Sequence, residues 1–359
     1  MGSFAAPIRA SLASAKLAIA FAAMLAPLAL ATGCQEPLKM AANVRLVPEF
    51  PEPGNAGPVK SMTLPEQCKD ADSPAVAVID VDGILLNTDF SGFWSAGENP
   101  VSLFRERLDA AACDPCVRAV VVRINSHGGG VTATDIMWHD LSAFRERTGL
   151  PVVACLMDVG AGGAYYLSTA ADQIVAHPTS VTGGIGVILN IYNLQDALQQ
   201  FNVAAIPVRS GDKVDLGSPV KALDDDQRKL LQTMANNFHQ RFRDVIHDGR
   251  PEVDMDDKTT FDGRVFTAEE AVKRRLIDQV GYLDDAIAIA RNMAHAPHAR
   301  VVLFHRANDQ AHSAYAITPN VPAGVGIVPI SLPGFDRSRL PGFLYMWQPE
   351  PTMEKLAGK

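Results

Sequence analysis

The stretch D-V-G-A-G-G-A-Y-Y-L-S-T-A-A, Asp158 to Ala171, decides the fold, because an apolar run from Pro151 to Met157 stops there at an acid and glycines. This pattern predicts a buried strand that ends where a helix begins. Glycine permits backbone angles that other residues avoid, and the first turn of a helix leaves N–H groups without partners. Such a turn can hold an oxyanion or a peptide carbonyl, although small residues also suit tight packing alone.

A second glycine-rich segment, N-S-H-G-G-G at Asn125 to Gly130, follows the apolar run Ala119 to Ile124. It also leads into a helical pattern, so we interpret it as a second strand-to-helix turn. Turns at the same ends of two neighbouring strands can face one another. The sequence therefore predicts two glycine turns that present backbone N–H groups to one groove.

Apolar runs of strand length alternate with helical patterns along the middle of the chain. The runs are Ala75 to Val81, Ala119 to Ile124, Pro151 to Met157, Gln173 to Ala176 and Ala204 to Val208. Asn99-Pro100 is typical of a helix start, and Gly149 follows a predicted helix, Thr132 to Thr148. Helices are also expected after Asp224, from Thr267 with its capping partner Glu270, and from Leu283. The alternation predicts an α/β fold with a mostly parallel sheet flanked by helices.

Five motifs make the chain resemble the bacterial signal peptide peptidases of the protease IV type, which are Ser/Lys serine peptidases. They read R-I-N-S-x-G-G, D-V-x-A-x-G-x-Y-Y, T-G-x-I-G-V, S-G-x-x-x-D-x-G-S-P and D-G-R-V-F-T, and they fall between about Ala75 and Ala294. The resemblance implies the Clp protease/crotonase-like fold, a superhelix of ββα units. It also implies peptide ligands and a ring-like homo-oligomer, with a mixed ring containing an active paralogue as an alternative.

Both positions that carry the family's catalytic groups are changed in this chain. The serine of the family pattern A-S-G-G-Y-Y falls on Gly162, and the lysine of S-G-x-x-K-D falls on Val214, which suggests an apolar pocket. Possible substitutes are Ser126 and, one position before the family lysine, Lys213. Ser126 stands beside His127, but neighbours on an extended segment point in opposite directions, so they do not form a nucleophile and base pair.

Three functions are compatible with this pattern. The first, which we favour, is a pseudopeptidase that binds signal-peptide-like, apolar peptides without cleaving them. The second is an active serine endopeptidase that degrades residual signal peptides with a serine from a partner paralogue or from Ser126, Ser168 or Ser210. The third is a crotonase-like acyl-transfer enzyme, which export disfavours because coenzyme A is a cytosolic cofactor. The residues expected to bind peptide or oxyanion are Asn125, Ser126, Gly128, Gly129, Gly162 and Gly163.

Charge and cysteine content limit the other ligands. The formal net charge of -8 is spread along the 359 residues and leaves no basic footprint for nucleic acid. We expect no cofactor and no metal, since zinc would need two further ligands near C-D-P-C. In an oxidising compartment Cys113 and Cys116 are disulfide candidates, with each other or with Cys68. Cys155 lies in an apolar run, where a thiol behaves as a small hydrophobic group.

The two ends of the chain differ from its middle. Residues 1–33 read as a lipoprotein signal peptide, 34–74 as a proline-rich tether, 75–295 as the peptidase-like α/β domain and 296–359 as a Pro/Gly-rich extension. The extension contains an aromatic segment, F-L-Y-M-W at Phe343 to Trp347. That segment could enter a neighbouring subunit, touch a membrane or cover its own domain, and we favour the last.

The segment L-A-T-G-C predicts lipid modification of Cys34, since it follows Arg9, Lys16 and an apolar run too short to span a bilayer comfortably. An ordinary signal peptide with a chance cysteine is the alternative. The lipid would hold the exported protein on the periplasmic face of a bacterial envelope, and Gln35 favours the outer membrane. We expect Cys34→Ala to release the protein from membranes, as measured by fractionation. An intact mass of the wild-type N-terminus without acyl groups would contradict this prediction.

Overall fold

The computed structural model describes residues 59–63, 73–88, 98–305 and 343–347, all within the unit of residues 51–359. The strands in this part are β1 (Lys60–Thr63), β2 (Ala75–Leu85), β3 (Val117–Gly130), β4 (Val152–Ala161), β5 (Gln173–Ala176), β6 (Val181–Gly183), β7 (Val265–Thr267), β8 (Gln279–Val280), β9 (Arg300–His305) and β10 (Leu344–Met346). The helices are α1 (Pro100–Cys113), α2 (Val131–Thr148), α3 (Gly163–Ser168), α4 (Gln195–Gln200), α5 (Asp225–Gly249), α6 (Ala268–Lys273) and α7 (Leu283–Met293). Cys34, Cys68 and the signal peptide lie outside the described residues.

The main sheet confirms the predicted α/β class. Its strand order is β1-β9-β2-β3-β4-β5-β8. Along this path β1 pairs antiparallel with β9, and the other neighbouring strands pair in parallel. The strands alternate their side chains between two cores, because Val120 and Val122 belong to one cluster while Ala119 and Val121 belong to the other.

Strands β3 and β4 each use their last residues for a second set of partners. Strand β4 pairs with β5 over Val153–Leu156 and with β6 over Val159–Ala161. Strand β3 pairs with β4 through Ile124, shifts register, and then pairs antiparallel with β10 at Gly128–Gly130. This division is the one expected of the Clp protease/crotonase-like superhelix. It brings the carboxyl ends of β3 and β4 together.

A buried ion pair fixes β2 against β3 just before these ends. The side chains of Asp80 and Arg123 are each 4% exposed, and their Oδ1 and Nη2 atoms lie 2.6 Å apart. Arg107 of α1 donates to the main-chain oxygen of Asp80 at 3.0 Å. Removing one partner of such a buried pair costs about 3 to 5 kcal/mol, because the other charge stays buried. The pair therefore holds the strand register on which the site depends.

Several local predictions hold. Asn99 caps α1 with its side chain, Gly149 ends α2 in the left-handed conformation, and Thr267 and Glu270 form a capping box. Cys155 is buried, and Cys113 is an exposed free thiol in the structure. The disulfide stays a prediction.

Other predictions were wrong. Residues 203–209, which include the predicted strand Ala204 to Val208, form no strand and are exposed. Asn125 to Gly130 is not a turn but the last part of β3. Strands β1, β9 and β10 come from segments predicted to be tether or extension, and they pair in the same sheet. Strand pairing between distant segments is not visible in local periodicity.

Candidate functional site

Gly162 forms the sharp turn between β4 and α3. Its backbone angles, φ 56° and ψ -123°, belong to a region that side chains strain to adopt. Its N–H donates to the Gly183 carbonyl at 2.8 Å, and its carbonyl accepts from Tyr166 N at 3.0 Å. Nucleophilic serines of α/β-hydrolases sit in strained strand-to-helix turns of this kind. Here the turn carries no side chain.

Gly128 brings the end of β3 to the same place. Its φ of 98° favours glycine, and a Cβ on it would lie 2.6 Å from Gly163 N and 2.0 Å from the Tyr345 carbonyl oxygen. The two glycine segments therefore meet, and a peptide carbonyl lies between them. Main-chain amides of glycines that converge in this way form a nest for a carbonyl or an oxyanion.

Two of the residues expected to bind peptide instead position this backbone. The Asn125 Oδ1 atom accepts from Val159 N at 3.2 Å and ties β3 to β4. Ser126 is 1% exposed, and its Oγ accepts from Gly128 N at 3.0 Å. A buried hydroxyl with this partner has no access to the groove. Ser126 is thus not placed as a substitute nucleophile.

The remaining substitutes are not assembled either. Ser168 is buried and donates to the Tyr165 carbonyl at 2.7 Å. Lys213 is exposed, and Val214 is 70% exposed, so the apolar pocket expected around position 214 is wrong for this chain. The three atoms nearest to a Cβ built on Gly162 belong to Tyr345 and Met346. Without burial, a lysine at position 214 would keep its ordinary pKa.

Sequence reasoning missed three groups near the site. Thr134 Oγ1 is buried, lies 2.4 Å from a Cβ built on Gly163, and has no hydrogen-bond partner among the described residues. A hydroxyl without a base is a weak nucleophile. Its only sequence signal is its place one turn after the glycines. The main chain and ring of Tyr345 are the second group, in a segment for which no chemistry was predicted.

Asp82 is the third group, and it pairs in register with Asn125. Burial, with a smaller effect of the Asp80 charge, raises the pKa of Asp82 to about 7. A carboxyl with such a pKa could transfer protons near neutral pH. However, the cavity that it shares with Arg107 and Met137 measures about 10 Å³, which holds at most one water. We therefore assign Asp82 no catalytic role.

Neither a metal site nor a membrane span is found in residues 59–63, 73–88, 98–305 and 343–347. No three His, Cys, Asp or Glu side chains there are grouped to hold an ion. No helix in the same ranges is long and apolar enough to cross a bilayer. His127 is a ring-stacking residue, because it lies 5.8 Å from Trp347 at 16° between the ring planes, and burial lowers its pKa.

A glycine nest beside a strained elbow, on a mostly parallel sheet, defines an α/β protein with a serine-hydrolase type of site that lacks its nucleophile. Residues 145–296 match the model of peptidase family S49. The chain is a member of this family, of its signal peptide peptidase SppA-like kind.

Relatives support this assignment. Protease 4 of Salmonella typhi is 32% identical over 219 residues, 61% of this chain and 34% of that protein. The chloroplastic serine protease SPPA of Arabidopsis thaliana is 32% identical over 224 residues, 62% of this chain and 32% of that protein. The chain thus spans about a third of these relatives. A solved membrane-bound stomatin-specific protease 1510-N with a substrate peptide is 14% identical, covers 61% of this chain and 81% of that chain, and has a TM-score of 0.40.

We predict that Gly162→Ala destabilises the fold more than Gly149→Ala does. Both glycines have positive φ, but a Cβ on Gly149 has nothing within 4 Å, whereas one on Gly162 lies 2.7 Å from the Tyr345 carbonyl oxygen. The control should lose roughly 1 to 2 kcal/mol from left-handed strain alone. We expect Gly162→Ala to lose about 1 to 3 kcal/mol more through overpacking and its rarer ψ. Urea unfolding measures both, and equal losses would contradict the described contact.

Proposed function

We propose that this chain is a pseudopeptidase, a family member that binds apolar, signal-peptide-like peptides without cleaving them. The observation that carries the proposal is the elbow at Gly162, which has nucleophile geometry and no side chain. A Ser/Lys peptidase needs a hydroxyl and a neutral amine together, because the amine must take the hydroxyl proton. The chain has neither group at the two family positions, Gly162 and Val214.

The binding apparatus does not depend on these two side chains. The last residues of β3 offer main-chain groups for pairing with an extended segment, and β10 makes this pairing at Gly128–Gly130. Strand addition of this kind draws its affinity from main-chain hydrogen bonds. The glycine nest adds a place for a carbonyl. Loss of the nucleophile therefore removes the covalent step and leaves the peptide contacts.

We expect purified full-length protein to show no turnover of a panel of fluorogenic apolar peptides. Gly162→Ser and Val214→Lys should be inactive singly, because each lacks the other group. The double variant should also be inactive, since an exposed lysine at position 214 stays protonated at neutral pH. The contrary result is wild-type hydrolysis that disappears in Ser126→Ala or Lys213→Ala, which would mean that the catalytic groups have moved.

The proposed location follows from the predicted lipid on Cys34. An anchored protein would act at the envelope membrane, where apolar peptides from cleaved signal sequences accumulate. The proline-rich residues 34–74 would give the domain reach from the bilayer.

We also propose a homo-oligomer whose subunits meet through residues 192–208. Large apolar side chains are exposed there, with Phe201 at 79%, Ile206 at 84% and Val208 at 99%. Such an apolar patch is typical of an interaction surface. Sedimentation velocity should find an assembly that Ile206→Asp with Val208→Asp dissociates, while Lys213→Asp, an exposed polar control outside the patch, leaves it intact. A wild-type protein that sediments only as a monomer would contradict this.

A further inference from the structure

The groove beside the glycine nest contains the chain's own strand β10. Leu344 and Ile188 exchange two main-chain hydrogen bonds, of 3.0 and 3.1 Å, on one side of β10. On the other side β10 pairs with Gly128–Gly130, and Trp347 N donates to the His127 carbonyl at 3.0 Å. A segment paired along both edges occupies the position that an added peptide strand would take.

The carbonyl of Tyr345 points into the nest. Its oxygen lies 2.7 Å from a Cβ built on Gly162 and 3.1 Å from one built on Gly163. The Tyr345 carbonyl carbon lies 3.0 Å from the same Cβ position on Gly162. In a serine peptidase the nucleophile's side chain stands directly beside the carbonyl that it attacks. Tyr345 therefore presents its carbonyl as a bound peptide would, next to an elbow that cannot attack it.

The side chain of Tyr345 fills an aromatic socket. The residue is 0% exposed, and its ring lies 5.2 Å from the Tyr166 ring and 4.9 Å from the Phe242 ring. Its hydroxyl donates to the Phe238 carbonyl at 2.6 Å. Socket residues come from α3 and α5, so the domain itself forms the socket around a ring that arrives from a separate segment. An aromatic ring with a polar tip satisfies both features of this socket.

Residues that flank Tyr345 contribute less specific contacts. Leu344 and Met346 are neighbours of Tyr345 on a strand, so their side chains point to the opposite face. Trp347 stacks on His127 at the half-buried rim. The socket is thus the position at which the groove can distinguish one peptide from another.

We infer that this groove selects extended peptides that carry a tyrosine at the socket position, and that the chain's own Leu344–Met346 strand is the resident competitor for it. The inference rests on the proposed function, since it names the peptide class and the regulation of the same site. An occupant attached to its own domain competes at an effective concentration on the order of millimolar. A peptide must therefore match the socket to displace it.

The test uses full-length protein and a fluorescein-labelled Phe-Leu-Tyr-Met-Trp peptide, with versions in which Phe or Ala replaces its tyrosine. Tyr345→Ala weakens the resident strand and empties the socket, and Trp347→Ala weakens the strand at its rim without opening the core. Tyr192→Ala removes a tyrosine that is 46% exposed elsewhere and is the matched control. Fluorescence anisotropy measures binding, and circular dichroism checks that each variant is folded.

We expect Tyr345→Ala to bind the tyrosine peptide at least about tenfold more tightly than wild type. Trp347→Ala should fall between them, and Tyr192→Ala should match wild type. On Tyr345→Ala, the alanine peptide should bind at least about tenfold more weakly than the tyrosine peptide, and the phenylalanine peptide should lie between. If Tyr345→Ala does not fold, Trp347→Ala carries the comparison with wild type.

The inference is overturned if the folded variants bind no more tightly than wild type, or if the three peptides bind alike. Equal, tyrosine-independent binding by all proteins would leave the proposed peptide-binding function in place and remove only the resident competitor. Cleavage of the probe would do the reverse, because it would contradict the pseudopeptidase while the difference between variants could still be measured.

Discussion

The main-chain contact between Gly162 and the strand that crosses it is the constraint on which the site depends. At φ 56° and ψ -123° the turn has the geometry of a nucleophile elbow. The space where a side chain would begin is filled, since a Cβ there would approach the Tyr345 carbonyl oxygen to 2.7 Å. Glycine is the residue that satisfies both the backbone angles and this close approach. The missing nucleophile and the occupied groove are therefore one structural feature.

This feature separates binding from catalysis in physical terms. Catalysis needs a hydroxyl, a desolvated amine and an oxyanion site in one place. Binding needs only an unpaired strand edge, a carbonyl site and a socket for a side chain. The first set is absent at Gly162 and at the exposed Val214. The second set is present, and β10 uses all of it.

The sequence was sufficient where structure is local. Asn99, Gly149 and the Thr267–Glu270 pair marked helix ends correctly, because capping depends on a few adjacent residues. The facing of the two glycine segments was also predictable, since parallel neighbours end at the same edge. Contacts between distant segments were not predictable. F-L-Y-M-W signals burial but not its partner, and the apolar run Ala204 to Val208 reads as a strand although Val208 is 99% exposed in a single chain.

Hydrogen exchange at the main-chain amides of Leu344 and Trp347 tests the account most directly. The structure pairs these amides with the carbonyls of Ile188 and His127. We predict that they exchange slowly in the free full-length protein and faster when excess Phe-Leu-Tyr-Met-Trp peptide is added, while the amides of β2 stay protected. Exchange at the rate of an unstructured peptide in the free protein, or protection unchanged at saturating peptide, would contradict the account.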